Sequence, residues 1–284
     1  MKIAHLILAH AAPAQLSKLI GALEDGNAHC FVHLDRKADL NSFSFLRDHA
    51  RVTLVPDRVA VGWGAYSIVE ATIRGFRTIA ASGIDFSYVN LLSGADYPLQ
   101  TPSAIRDFFD RNTGKNFMEY YPVYDEWTEA IPRLSQYHLT NYNFPGKYLV
   151  QKYINRLLPR RRMPAGLEPV GRSQWMSLTA EAVRYVLAYL DAHPEVVRFF
   201  KLTWAPDEII FQTILYNSPF RSTLVNDNLR YIDWSKGQAS PKVLTEEDLD
   251  RMSESGKLFA RKFDLVRYPE VIERLDKKMN DDQL

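Results

Sequence analysis

The segment Ile3-Ala4-His5-Leu6-Ile7-Leu8-Ala9 is apolar at almost every position and shows no alternation of polar and apolar residues. A strand of that kind needs cover on both faces, which helices laid over a parallel sheet provide. The residues that follow meet the need. Pro13 introduces a helical period through Leu16, Leu19, Ile20 and Leu23, Gly26 ends it, and His29 to Leu34 makes a second strand that runs into Asp35. This is a β-α-β unit with a carboxylate at the end of its second strand. Ligands of open α/β sheets sit outside the carboxyl ends of the strands, so His10 and Asp35 are candidate nucleotide-binding residues. A strand-end histidine and a turn-stabilising aspartate are the plainer readings of the same two positions.

The pattern recurs along the chain. Tyr66 to Ala80 has a helical period with Val69, Ile73, Phe76 and Ile79 on one face, and Phe86 to Leu92 reads as another buried strand. That strand stops at Ser93-Gly94-Ala95-Asp96-Tyr97-Pro98, which puts Asp96 at a further strand end. Thr101 or Ser103 can cap a helix ahead of a short strand at Asn116 to Tyr121. Residues 122–170 break the order, with several prolines, many tyrosines and no clean period until Tyr148 to Leu158, as expected of an inserted, irregular lobe. Beyond it come a strand at Ser173 to Leu178, a helix capped by Thr179, and a helix begun by Pro206-Asp207-Glu208 with Ile210, Phe211, Ile214 and Leu215 as its apolar face. The final segments are a strand at Leu229 to Asp233, a helix from Thr245, an apolar run at Leu258 to Asp264 and a helix after Pro269. One α/β domain over residues 1–284 is expected, with a nucleotide-binding half to about residue 121, the lobe at 122–170, and an acceptor and diphosphate-binding half from 171.

Thirty-five basic residues against 34 acidic ones give a net charge of +1, which removes the bulk attraction a general nucleic-acid binder relies on. Any anion site must be local. The single cysteine, Cys30, sits in an apolar context, excludes an intramolecular disulfide and suits a reducing compartment. No apolar stretch is long enough to span a bilayer, so a cytoplasmic protein, peripheral at the inner face of a membrane, is expected. Lys147 to Arg162 holds six basic residues and no acid, with Leu149, Tyr153, Ile154, Leu157 and Leu158 between them. A basic amphipathic helix reads as a membrane-surface contact or as a solvated face.

The local anion site points to the C-terminal apolar run, where Arg261 and Lys262 interrupt Leu258 to Asp264. Either the two heads snorkel to solvent or they clamp a diphosphate. Asp-x-Asp spacing, which would hold a divalent cation, occurs only at Asp248-Leu249-Asp250, and Thr245 three residues earlier makes a helix cap the stronger reading there. Asp96 alone is a poor metal cage, so no metal is expected and cationic side chains take the neutralising role. Glu208, third in its expected helix, would feel the positive end of the macrodipole and is the candidate general base, with Asp207 as backup and a capping carboxylate as the alternative. Trp63, between Gly62 and Gly64, can stack on a base or sugar or fill the core. Tyr120, Tyr121, Tyr124 and Trp127, beside Asp125 and Glu126, form either a sugar-holding or a packing cluster.

Taken in order, Phe31-Val32-His33-Leu34-Asp35, Trp63-Gly64-Ala65-Tyr66-Ser67, Asn90 through Pro98, Pro206-Asp207-Glu208, and Asp233-Trp234 through Ser240-Pro241 to Phe259-Ala260-Arg261-Lys262-Phe263 resemble the core-2/I-branching β-1,6-N-acetylglucosaminyltransferase and peptide O-xylosyltransferase family. The resemblance covers most of the chain and fails mainly over residues 122–170. It implies a GT-A-like α/β fold with a mixed central sheet flanked by helices, a UDP-sugar donor, inversion at the anomeric carbon and no metal or other cofactor. It also implies Glu208 as base, Lys262 on the diphosphate and Asp35 against the uridine portion. Arg261 joins Lys262, and Lys242 stands where the branching enzymes carry an arginine shortly before the basic strand. The xylosyltransferases carry an aspartate in a Gly-Ser-Asp-Trp setting, and its match here is Gln174, an amide that cannot act as a carboxylate base. N-acetylglucosamine is therefore favoured over xylose as the donor sugar. Asp96, Gln174, Trp175 and Asp207 are assigned to the donor and acceptor sugars. Animal members are disulfide-bearing Golgi membrane proteins, so a bacterial cytosolic counterpart is the expectation. The expected reaction moves the sugar to a hydroxyl of a glycan or lipid-linked glycan; a noncatalytic glycan- or lipid-surface-binding protein on a degenerate scaffold is the alternative.

Overall fold

A computed structural model describes residues 1–281. The strands in chain order are β1 (Ile3–Ala9), β2 (Ala28–Leu34), β3 (Val52–Leu54), β4 (Tyr88–Ser93), β5 (Asp96–Pro98), β6 (Asn116–Pro122), β7 (Val170–Thr179), β8 (Leu224–Asn226), β9 (Arg230–Ile232) and β10 (Phe259–Arg261). The helices are α1 (Pro13–Ala22), α2 (Tyr66–Ala81), α3 (Pro102–Arg111), α4 (Ile131–Ser135), α5 (Lys147–Leu157), α6 (Ala180–Ala192), α7 (Pro194–Phe200), α8 (Ile210–Tyr216), α9 (Leu249–Glu254) and α10 (Pro269–Asp281). They fall into two compact units, one built from residues 1–55, 85–113 and the chain from Leu229 onward, the other from residues 56–84 and 114–228. The segment from Leu229 packs with the first strands rather than with the chain that immediately precedes it.

In the first unit β1 lies between β2 and β4, and all three run parallel, with β3 parallel to β2 on the far side. The double-sided apolar run explains the placement: Leu6 and Ile7 are fully buried, as are Phe31 and Leu91 on the flanking strands. Ala9 pairs with Leu34 and Leu8 with Ser93, so the carboxyl ends of the three strands are level. A small second sheet has β10 in the middle, antiparallel to β5 and parallel to β9. Asp96-Tyr97-Pro98, expected only as a strand stop, becomes a strand because β10 supplies its partner. A buried polar network underlies this sheet: Asn90 meets His5 Nδ1 at 3.2 Å, and Arg230 donates to Asn90 Oδ1 and to the Leu91 carbonyl. Burial and the Arg230 charge push the His5 pKa down to about 3, which keeps the ring neutral.

In the second unit β6 is central, antiparallel to β7 and parallel to β8. Pro122 pairs with Val170, so the expected lobe is the connection between two adjacent antiparallel strands and carries α4 and α5. Thr179 caps α6 as expected, its hydroxyl accepting from Ala182 N at 3.2 Å, and in the first unit Thr101 does the same for α3. One expected helix is broken. Pro206–Glu208 forms a single 3₁₀ turn, Ile209 leaves helical geometry at φ −130°, and α8 starts only at Ile210.

Candidate functional site

The rim of the first unit gathers several of the expected residues. His10 and Asp35 follow directly on β1 and β2, where Asp35 N donates to Ala9 O at 2.8 Å, and Gly94 N donates to Leu8 O at 3.0 Å beside them. Gln15, buried on α1, then ties two loops together. Its Nε2 donates to the carbonyls of Gly94 (3.0 Å) and Phe263 (3.2 Å), while its Oε1 accepts from Leu265 N at 2.9 Å. Phe263 N also donates to Ala95 O at 2.9 Å, which brings Arg261 and Lys262 to the Ser93 to Asp96 turn. His10 is exposed on this rim, whereas Asp35 is buried and accepts from Lys37 N at 2.8 Å, the turn-stabilising arrangement.

The three expected diphosphate cations differ sharply in what surrounds them. Arg261 lies opposite Asp96 in register, its Nε 3.6 Å from Asp96 Oδ1, with the two side chains 13% and 0% exposed. Burial draws the guanidinium pKa down while the Asp96 charge opposes that shift. Asp96 also accepts from Ser93 N (3.0 Å) and Ser93 Oγ (2.7 Å). This carboxylate is a buried counter-ion that holds its own turn closed. Lys242 is engaged by a carboxylate as well. Its Nζ donates to both oxygens of Asp248, at 2.7 and 2.9 Å, and these bonds raise its pKa. Asp248 is itself the capping-box residue of Thr245, so the Asp-x-Asp spacing is a helix cap. Lys262 is half-buried, touches Ser240 Oγ at 3.4 Å, and has no carboxylate partner among the described residues. Among the described residues, no three His, Cys, Asp or Glu side chains gather as a metal-ligand set.

The second unit holds the carboxylates. Ala205 takes a left-handed conformation (φ 48°) and its N donates to Gly64 O at 2.8 Å, which pins the start of the Pro206–Glu208 turn. Gly171, at the start of β7, lies so close to this turn that a Cβ there would fall 2.1 Å from Glu208 O. Only glycine permits that approach. Glu208 Oε2 accepts from Arg133 Nη1 at 2.5 Å, and Oε1 has no protein partner among the described residues. The Arg133 guanidinium lies over two indoles, 4.8 Å from the Trp127 ring centroid and 4.4 Å from that of Trp204. The macrodipole expected to support Glu208 is absent, because three residues of 3₁₀ turn are not a helix end; Arg133 supplies the positive charge instead. Asp207 is buried with Oδ1 unpartnered, and desolvation, then the charge of Glu208, pushes its pKa up to about 7.

Trp63 is 71% exposed, edge-on to Trp204 at 5.7 Å, so it is not a core residue. Gly64 beside it has φ 66°, and a Cβ there would lie 2.7 Å from Trp204 Nε1. Gln174 and Trp175 are both buried on β7, and Gln174 Nε2 has no hydrogen-bond partner among the described residues. Sequence reasoning missed Arg133, Trp204 and Gly171. Arg133 lies in the lobe without a period and offered no signal; the isolated glycine at the head of a strand did. Tyr124 and Tyr137 line an open cavity of about 950 Å³ together with Arg160, Arg162 and Arg198.

A sequence profile of the family described as Core-2/I-Branching enzyme matches residues 3–253. Xylosyltransferase 1 of Canis lupus familiaris is 25% identical over 298 residues, covering 97% of this chain and 30% of the relative. Xylosyltransferase 2 of Rattus norvegicus is 26% identical over 304 residues, covering 97% and 33%. The chain thus spans about a third of the length of the curated relatives it matches. Among solved structures, the galactosyltransferase LgtC in complex with donor and acceptor sugar analogs aligns over 97% of this chain and 95% of that one, at 10% identity and a TM-score of 0.45.

Proposed function

The chain belongs to the Core-2/I-branching enzyme family, and we propose that it is an inverting, metal-independent glycosyltransferase of GT-A-like α/β fold. It moves a sugar, N-acetylglucosamine before xylose, from a UDP donor to a hydroxyl of a glycan or lipid-linked glycan at the cytoplasmic face of a membrane. Glu208 removes the proton from the acceptor hydroxyl as that oxygen bonds to the anomeric carbon; the bond from that carbon to the diphosphate breaks, and its electron pair leaves with UDP. Lys262 neutralises the charge that develops on the departing diphosphate. His10, Asp35 and Trp63 serve the nucleotide, and Gln174, with its unpartnered amide, serves a sugar hydroxyl. Asp207 stays beside the base as a neighbour that is about half-protonated at neutral pH.

One observation carries the reading: Glu208 is a carboxylate with one oxygen bonded by an arginine that lies over two indoles and the other open. Arg133 fixes the orientation and leaves the open oxygen for the acceptor proton. Glu208→Gln keeps the shape and removes the base. Transfer should fall by roughly a hundredfold or more, the usual scale for general-base loss, while UDP affinity by calorimetry stays unchanged. Turnover near the parent rate would overturn the assignment.

A further inference from the structure

Helix α5 is inside out. Its inward side carries the half-buried Ile154 but is anchored by polar groups: Gln151 Oε1 accepts from Leu139 N at 2.8 Å, Asn155 Oδ1 accepts from Tyr137 N at 2.7 Å, and Asn155 Nδ2 donates to Tyr137 O at 2.8 Å. No residue of the helix is buried. Leu149, Tyr153 and Leu157, at i, i+4 and i+8, form an outward stripe and are 58%, 54% and 76% exposed. A helix meeting only water shows the reverse distribution, and a contiguous apolar stripe of this kind marks an interaction surface.

The stripe is flanked by cations. Lys152 and Arg156, also exposed, run beside it at i, i+4 spacing. The chain from 130 to 167 contains no Asp or Glu. Arg161 is committed to the carbonyls of Gln136, Leu202 and Phe199, but Arg160 and Arg162 open with Arg198 onto the cavity of about 950 Å³, where Glu195 is the one acidic lining residue. The occupant must therefore be both apolar and anionic. A second copy of this chain would bring the same cations against themselves, and a nucleic acid would leave Leu149 and Leu157 in water. We infer that α5 and the arginines after it dock on an anionic lipid bilayer, the stripe entering the interface and the cations lying at the phosphates. The inference goes beyond the transferase reading and does not depend on it.

Co-sedimentation of the full chain with phosphatidylcholine vesicles, with and without phosphatidylglycerol, tests it. Binding should require phosphatidylglycerol and weaken in high salt. Removing a cation costs about fivefold in partitioning, so Lys152→Gln with Arg156→Gln should lower it by roughly 25-fold, and Leu149→Ser with Leu157→Ser should lower it by about tenfold or more. Tyr153→Trp should shift its emission to the blue with anionic vesicles only. Equal binding to neutral vesicles, no binding to either, or binding indifferent to these substitutions overturns the inference. So does a dimer on size exclusion that Leu149→Ser with Leu157→Ser converts to monomer, since the stripe would then be covered by a second copy. Melting temperatures with and without UDP report folding and donor binding in each variant, which separates failure here from failure of the transferase reading.

Discussion

Two adjacent like-charged pairs, Arg261-Lys262 in the first unit and Asp207-Glu208 in the second, are sorted by burial in the same direction and resolved by different chemistry. In each pair the first residue has a polar head atom buried, Arg261 Nε and Asp207 Oδ1, while Lys262 Nζ reaches an exposed position beside Ser240 and the Glu208 side chain is 32% exposed. Arg261 cannot shed its proton, so its burial requires a counter-ion, and Asp96 is there. Asp207 has no such partner on Oδ1 and can instead take up a proton, which is what a pKa near 7 describes. The lesson is that a buried charge at a functional rim is not automatically functional. On the proposed reading the open member of each pair, Lys262 and Glu208, is the one that meets a ligand.

The largest test of this contrast is Arg261→Ala, which would leave Asp96 as an uncompensated buried carboxylate. It should cost about 3–5 kcal/mol in chemical denaturation; a loss below 1 kcal/mol would mean that the pair is not a structural one. Gly171→Ala presses a Cβ onto the Glu208 carbonyl and should cost roughly 1–3 kcal/mol, with turnover falling more than UDP affinity because only the base is displaced. Equal losses in both would place the damage elsewhere. Lys262→Ala should leave stability within about 0.5 kcal/mol and weaken UDP binding by roughly tenfold, about 1.4 kcal/mol; unchanged UDP affinity would remove it from the diphosphate site. The last test is of pH dependence. Between pH 3.8 and about 7 the folded chain keeps a proton on Asp207 that the unfolded chain has released, so stability should fall as pH rises through that window. Asp207→Asn should flatten this part of the melting-temperature profile, and an unchanged slope would show that Asp207 titrates normally.

Short-range features were legible because their causes are short-range. The unbroken apolar run required β1 to be covered on both faces, and it forms at Ile3–Ala9 as read. Thr101 and Thr179 cap their helices through hydroxyls three residues from the amides they serve, and the Thr245 to Asp248 box closes over the same distance. The strand-end positions of His10 and Asp35 follow from the same periodicity. The helix expected from Pro206 was read too long, since proline and the apolar face of Ile210 to Leu215 fit one helix equally well. The break lies against the β7 backbone at Gly171, a contact between segments distant in sequence.

The amino-acid sequence alone determined the alternation of strands and helices, the absence of bulk charge for nucleic acid and the short set of charged residues from which a site could be made. Tertiary structure decided which of those charges are free. Arg261 meets Asp96 only through the register of β10 on β5, Lys242 is captured by Asp248, and Glu208 acquires Arg133 from a lobe without periodicity. Whether a charge is neutralised depends on which distant segment approaches within a few ångströms, and α5 shows the same for an apolar face. Its period was visible in the sequence, but only the hydrogen bonds of Gln151 and Asn155 to the Tyr137 to Leu139 backbone turned that face outward.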